Sequence, residues 1–371
     1  MQMGVKVVRL DEAFSASAQA VDSFPETTTG SVGGDADYGF ALSPQTNASA
    51  TAINRLTKAG IEVQRSKAAF SANNQDFPLG TYIVRNEGRS ARRQINQIAE
   101  ELGLDFTGLT EAPDVGLAQQ EAIRVGLYKS WVANMDEGWT RWLLENYEFE
   151  LESLSDADIQ SADLSRFDAI ILPSQDADSI LTGNAPGTMP EEYVGGIGLA
   201  GALALENFVS LGGTLVTLDA ASDFAIRQFG LPIENTVADT TDRQFFIPGS
   251  LMRTEVDTSH PLAAGMEEEL AASFVRSRAF DLVTISRQRE GGQEQTMEPP
   301  ELPIETIVTY SEQDSLMSGW ALGEENYIAG KAALMRAPLG AGQVVLFGFR
   351  PQFRGQTRAA YKLLFNALLQ N

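Results

Sequence analysis

The sequence predicts an α/β protein, with a mostly parallel sheet and helices on both faces over residues 122–371, preceded by a smaller α/β segment over 1–121. Three observations carry this. Solid apolar runs such as "IRVGLY" (123–128), "FDAIILPS" (167–174), "TLVTLD" (214–219) and "QVVLFGF" (343–349) have the composition of strands buried on both faces. They alternate with helical stretches, the order that parallel neighbours require. The 371 residues, 43% of them hydrophobic, suffice for two domains with a core in each.

The elements follow in order. In the first third, "DYGFAL" reads as a strand and "ATAINRLTKAG" as a helix closed by Gly60. "IEVQRSKAAF" and "GTYIVRN" read as strands. "SARRQINQIAEELG" is an amphipathic helix, with Ser90 as its N-cap and Gly103 just past its end. The stretch "SFPETTTGSVGGDAD" is rich in Gly, Ser, Thr and Asp and reads as a mobile loop, and "TEAPDVGLAQQEA" places a boundary near residue 121. Beyond it, "DEGWTRWLLENY" is a helix capped by Asp136, "FELESLS" a strand, and "GIGLAGALALENFVSLGG" a helix ending at Gly212-Gly213. "AALMRAPLG" precedes the last strand, and "RAAYKLLFNALLQ" forms a final helix. "SRQREGGQEQTMEPPELP" (286–303) is a low-complexity surface excursion. The start, "MQMGVKVVRL", alternates like a strand, has no signal-peptide run, and begins as though continued from a longer chain.

Composition narrows the chemistry. With 50 acidic against 27 basic residues the net charge is −23, which repels nucleic acid and favours solubility. No segment approaches the ~20 apolar residues of a membrane span. Without cysteine there are no disulfides, Cys-zinc sites or thiolate nucleophiles. The single histidine excludes a two-His zinc site and leaves a Ser-His-Asp mechanism only if His260 is the base; in "TSHPLAAG" it reads as a turn histidine. No cofactor or metal is called for.

Open α/β sheets bind ligands at the carboxyl ends of their strands. That rule gathers Lys129, Ser130 and Trp131; Asp136, Glu137 and Arg141; Ser174, Gln175 and Asp176; Asp219 and Ser222; and Arg350, Gln352 and Arg354. Arg350, Gln352, Arg354, Lys129, Trp131 and Arg141 are the ligand-binding candidates, suited to a small anionic or peptide-like molecule. Arg350 stands first because it directly follows a buried strand. Arg354 and Arg358 continue it at four-residue spacing, where ion pairing is the default, and Trp139 and Trp142 read as core. The alternative is an enzyme of altered chemistry, with Ser222 as nucleophile or Asp219 and Glu137 as an acid–base pair. The close glycines of "GGIGLAG" lack the strand–turn–helix context of a phosphate cradle.

Residues 122–371 resemble a class I glutamine amidotransferase-like domain of flavodoxin-like fold. Over most of its length beyond residues 1–40, the chain resembles the C-terminal region of bacterial zinc-carboxypeptidase-like proteins. "NASATAINRLTKAGIEV", "MDEGWTRWLLE", "YVGGIGLAGALALENFVSLGGTLVTLD", "FFIPGSLMRTEVDTSHPLAAGM", "SGWALGEE" and "VVLFGFRPQFRGQTRAAYKLLFNALL" carry the likeness. The resemblance implies a catalytic Cys on the turn after "TLVTLD", where Ala220, Ala221 and Ser222 stand. It also implies a His and a Glu where "FRPQ" has Arg350 and Gln352. An arginine cannot accept a proton at neutral pH and a glutamine cannot orient an absent imidazole, so the expectation is a non-catalytic module. The resemblance further implies a peptidase domain as partner, with residues 1–121 connecting to it, and a periplasmic or extracellular location.

Overall fold

The computed structural model describes residues 2–5, 8, 10–23, 29–161, 163–283, 285–288, 294–297 and 303–370. The chain divides into two compact units, residues 3–122 and 123–371.

The first unit is a six-stranded sheet in the order Val32–Gly33, Phe106–Leu109, Gly39–Leu42, Tyr82–Arg85, Val63–Ser66, Leu117–Gln120. Its pairings are antiparallel except the first. The helices Ala48–Lys58 and Arg89–Leu102 supply Ile53, Leu56, Ile95 and Ile98 to its core. Gly103 closes the second helix in the left-handed conformation. Its N-cap is Gly88 rather than Ser90, because the chain enters helical geometry at Arg89. Of the stretch expected as a loop, residues 24–28 lie outside the described residues, and Val32–Gly33 joins the sheet.

The second unit contains β1 (Arg124–Tyr128), α1 (Met135–Asn146), β2 (Glu150–Leu154), α2 (Asp156–Ser161), β3 (Ala169–Leu172), α3 (Ala177–Thr182), α4 (Gly198–Ser210), β4 (Thr214–Leu218) and α5 (Ser222–Gln228). These are followed by β5 (Ser250–Val256), β6 (Glu269–Phe274), β7 (Glu305–Tyr310), β8 (Ala332–Leu339), β9 (Gly342–Phe347) and α6 (Tyr361–Leu369). The main sheet runs β2-β1-β3-β4-β9-β8-β7-β5-β6. The first five strands are mutually parallel, in an order found in doubly wound sheets. From β9 onward every neighbour is antiparallel. Of the stretch read as a surface excursion, Ile285–Gln288 and Glu294–Met297 pair with each other; residues 289–293 and 298–302 lie outside the described residues.

The sheet is therefore mixed, which corrects the expectation of a mostly parallel one. The reason lies in two local patterns. Gly340 and Ala341 form a two-residue turn between β8 and β9, with Gly340 at φ +63°, so "AALMRAPLG" and "QVVLFGF" fold back as a hairpin. β5 alternates between buried and more exposed positions along "SLMRTEV", the signature of a strand with one face covered rather than two. Ile170, Leu172, Leu205, Leu215, Phe224, Val344 and Leu346 pack in the core beneath the parallel half. Among the described residues, no helix is long and apolar enough to cross a membrane.

One close approach places the antiparallel half against the parallel rim. Arg278 N donates to Gly348 O at 2.6 Å, just past the end of β9. A Cβ on Gly348 would lie 2.5 Å from Arg278 O and 3.2 Å from Ala333 O, both backbone atoms. Gly348→Ala should therefore lower stability by about 1–3 kcal/mol through forced backbone displacement. Urea unfolding checks this, and an unchanged midpoint would exclude so tight a contact.

Candidate functional site

The sharp turn from β4 into the following helix is made by Asp219, at φ +52°. A non-glycine residue in this region is uncommon, and Asp tolerates it better than most side chains do. Asp219 is fully buried. Ser174, just after β3, donates its hydroxyl to Asp219 Oδ2 at 2.9 Å. Arg350 Nη2 lies 3.0 Å from the same oxygen, and Arg350 Nε lies 3.0 Å from Asp136 Oδ2. Arg350 Nη1 donates to Val275 O at 3.2 Å, which ties the rim to the segment after β6.

Asp136 is free to take this part because it does not cap its helix. Asn134 is the N-cap and accepts from Asp136 N at 2.9 Å, correcting the expectation that Asp136 would fill that position. Two carboxylates thus share one guanidinium. Burial raises the pKa of Asp219, against the opposing effects of Arg350, Arg278, Ser174 and Ser277. Burial also raises that of Asp136, against Arg350, while the Asp219 charge adds to the rise. Tyr310, buried nearby and donating to Arg278 O at 2.9 Å, is pushed well above the usual tyrosine value by burial and then by Asp219.

The remaining candidates separate. Gln352 is fully buried and lines no open pocket: its Nε2 donates to Thr140 Oγ1 at 3.1 Å, and Thr140 Oγ1 donates to Asp136 O at 2.7 Å. Gln352 therefore braces the first turn of α1. Glu137 is bound by Arg141 one helical turn on, and Arg141 also reaches Ser153 of β2. The carboxylate that shares Arg350 with Asp219 is Asp136, so the suggested Asp219–Glu137 pair is not assembled. Ser222 is fully buried, and its hydroxyl meets Thr217 Oγ1 at 2.9 Å and Phe347 O at 2.9 Å. None of these partners is a base, which removes the premise for Ser222 as a nucleophile.

Arg354 is exposed, adopts φ +49° and lies over the Phe353 ring at 5.1 Å; Arg358 begins a separate turn. The four-residue spacing therefore forms no helical row. Lys129 is exposed, and Trp131 stands edge-on to Tyr193 at 4.8 Å. Trp139 and Trp142 pack edge to face at 5.8 Å against the turn at Gly355, with Trp142 still 42% exposed rather than in the core. His260 Nδ1 accepts from Leu262 N at 3.1 Å in a turn, and Nε2 lies 3.4 Å from Glu305.

Sequence reading missed the cleft beside Asp219, of about 500 Å³. Residues after β3, the start of α5, the 235–247 segment and Arg276–Arg278 line it. Arg278 anchors its wall: Nε donates to Asp223 Oδ2 at 3.0 Å, in the first turn of α5. Burial works to lower the Arg278 pKa, but the carboxylates of Asp219, Asp223 and Asp176 outweigh it and raise it. The available signal was "VRSR" (275–278), two arginines following an apolar run in an acidic chain. Among the described residues no group of three or more His, Asp or Glu is placed to hold a metal ion.

No protein-family model and no curated protein matches the chain. Among solved structures, it is similar to a ThuA-like protein from Bacteroides uniformis, at 13% identity over 68% of this chain and 93% of that one, with TM-score 0.36. It is similar to a protein from Thermoplasma acidophilum described as part of a GMP synthase, at 9% identity over 67% and 96%, with TM-score 0.38. It is also similar to a β-galactosidase from Bacillus circulans sp. alkalophilus, at 14% identity and TM-score 0.39. That match covers 76% of this chain and about a third, 35%, of the β-galactosidase. The α/β assignment itself rests on the strand order and connections of the protein.

The paired aspartates give a pH dependence of defined sign. Both folded pKa values lie above the ordinary 3.8, so between that value and the raised ones the folded state binds more protons than the unfolded. Stability from this source therefore falls as pH rises through that window, and the full cost is present above it. Asp219→Asn removes one of the two ionisations and relieves Asp136 of a like charge. Its urea midpoint should decline less between about pH 4 and pH 7 than that of the wild type. Parallel pH profiles for the two proteins would rule out a strained carboxylate pair.

Proposed function

We propose that residues 123–371 form a flavodoxin-like, class I glutamine amidotransferase-like module without a catalytic triad. In this reading it is an accessory module of a longer, zinc-carboxypeptidase-like protein. It either binds a small anionic or peptide-like ligand or organises the peptidase domain. The five parallel strands support the fold part of the reading: numbered among themselves, they run 2-1-3-4-5, the flavodoxin-like order.

The observation that carries the non-catalytic part is the clamp at the turn after β4. Just before Ala220, Ala221 and Ser222, where the resemblance puts the thiol, the positive-φ residue is Asp219, buried and paired with Arg350. Arg350 and Gln352, at the His and Glu positions, are committed to Asp136, Asp219 and Thr140. A nucleophile needs an adjacent base and an approach for substrate, and this arrangement offers neither. The accessory role, the peptidase partner and the location outside the cytoplasm rest on the sequence resemblance.

The test is turnover. Ammonia release from glutamine, and hydrolysis of simple ester and peptide substrates, should not exceed the levels given by Ser222→Ala and Asp219→Asn. Turnover in the wild type that either substitution abolishes would overturn the reading. Arg350→Ala should cost about 3–5 kcal/mol in urea unfolding, because two buried carboxylates lose their shared counter-ion. A loss below about 1 kcal/mol, as for an exposed pair, would contradict the clamp.

A further inference from the structure

We infer that the cleft beside Asp219 binds a small zwitterion, its anionic group on Arg276 and Arg278 and its cationic group on the facing aspartates. The inference rests on the non-catalytic reading above and names the ligand class of that module. The cleft's volume of about 500 Å³ falls within the usual range for small-molecule sites, roughly 300–1,000 Å³.

Its walls carry both signs of charge in an unusual division. One ion pair is tight: Arg278 Nε donates to Asp223 Oδ2 at 3.0 Å, and both side chains are largely buried. Three others are loose: Arg276–Asp242 at 3.5 Å, Arg227–Asp178 at 3.9 Å and Arg278–Asp176 at 3.9 Å. The tight pair fixes one wall. Arg276–Asp242 and Arg227–Asp178 are exposed pairs, worth little, with most of their hydrogen-bonding capacity left to solvent. Arg278 gives Nε to Asp223 and Nη1 to Arg276 O, which leaves Nη2 toward Asp176.

A purely anionic ligand would meet the arginines but also face Asp176, Asp178 and Asp242. A purely cationic one would meet the aspartates but face Arg227 and Arg276. A molecule with both charges can replace a loose pair by two direct ones, its anion on an arginine and its cation on an aspartate. Phe245 and Phe246 add an apolar surface to the cleft, with Arg276 held over the Phe246 ring at 4.8 Å. Behind the wall, Asp219 adds its negative charge to that of Asp223 on Arg278, and the bond to Asp223 holds this guanidinium in place.

A dipeptide carries both charges on one short skeleton and serves as the probe. Glycyl-phenylalanine would be titrated by calorimetry into the full chain at low salt, beside its N-acetylated form, its C-terminal amide and inorganic phosphate. The free dipeptide is expected to bind, and blocking either terminus to weaken binding at least tenfold. Arg276→Gln should at least halve the penalty for amidation and leave that for acetylation, and Asp242→Asn the reverse; penalties unchanged in both variants would overturn the assignment. Both residues are exposed, so unliganded melting temperatures should stay near that of the wild type. Equal binding of free and blocked peptides, tighter binding of phosphate, or no binding of the dipeptide would each overturn the inference. The turnover test is separate: its failure would overturn the non-catalytic reading whichever probe binds here.

Discussion

A single guanidinium, that of Arg350, allows two buried carboxylates to stand at the same rim. Asp219 and Asp136 come from different elements, one from the turn after β4 and the other from the first turn of α1. Without a positive charge between them, their mutual repulsion and the loss of water would act in the same direction. Much of the local chemistry serves that arrangement. Asn134 takes over the capping of α1, which frees Asp136. Gln352 and Thr140 hold the same helical turn from behind. Ser174 occupies part of the remaining acceptor capacity of Asp219.

The antiparallel half of the sheet makes this clamp possible. Arg350 also bonds Val275 O, and the segment from Val275 to Arg278 reaches the rim only because β6 belongs to the antiparallel run beyond β9. Gly348 admits that segment at backbone contact distance. The parallel half thus supplies Asp219, Asp136 and the helices, and the antiparallel half supplies the opposite wall. The cleft lies between the two halves, and each contributes both signs of charge: Asp176, Asp178 and Arg227 from one, Asp242, Arg276 and Arg278 from the other.

This division explains what was legible in the sequence. Strands buried on both faces announce themselves as solid apolar runs, so 123–128, 167–174, 214–219 and 343–349 stood out, and with them Arg350 and Asp219. In the antiparallel half, "SLMRTEV" alternates and "ELAASF" is a short run of mostly small residues, so each can be read as a strand only if its partners are known. Missing them hid Arg276 and Arg278. Side-chain commitments were also illegible: Asp136 and Glu137 are adjacent carboxylates on one helix turn. Which of them faces Arg350 depends on the capping residue at 134 and on Arg141 one turn later. The regular spacing of Arg350, Arg354 and Arg358 misled for a related reason, since the left-handed step at Arg354 breaks any helical row.

Arg278 joins the clamp to the cleft. It hydrogen-bonds Asp223 in the cleft wall, its backbone carbonyl accepts from buried Tyr310, and its charge is felt by Asp219 behind. Three carboxylates, Asp136, Asp219 and Asp223, are therefore balanced by two guanidinium groups within one connected set. Such a set places several charged groups largely out of water, a costly arrangement that stays tolerable only while its geometry is held fixed. The close backbone contact at Gly348 and the bracing by Gln352 supply that rigidity. The turn at Asp219 thus anchors a wall, and the same rigidity gives the neighbouring cleft a fixed pattern of charge.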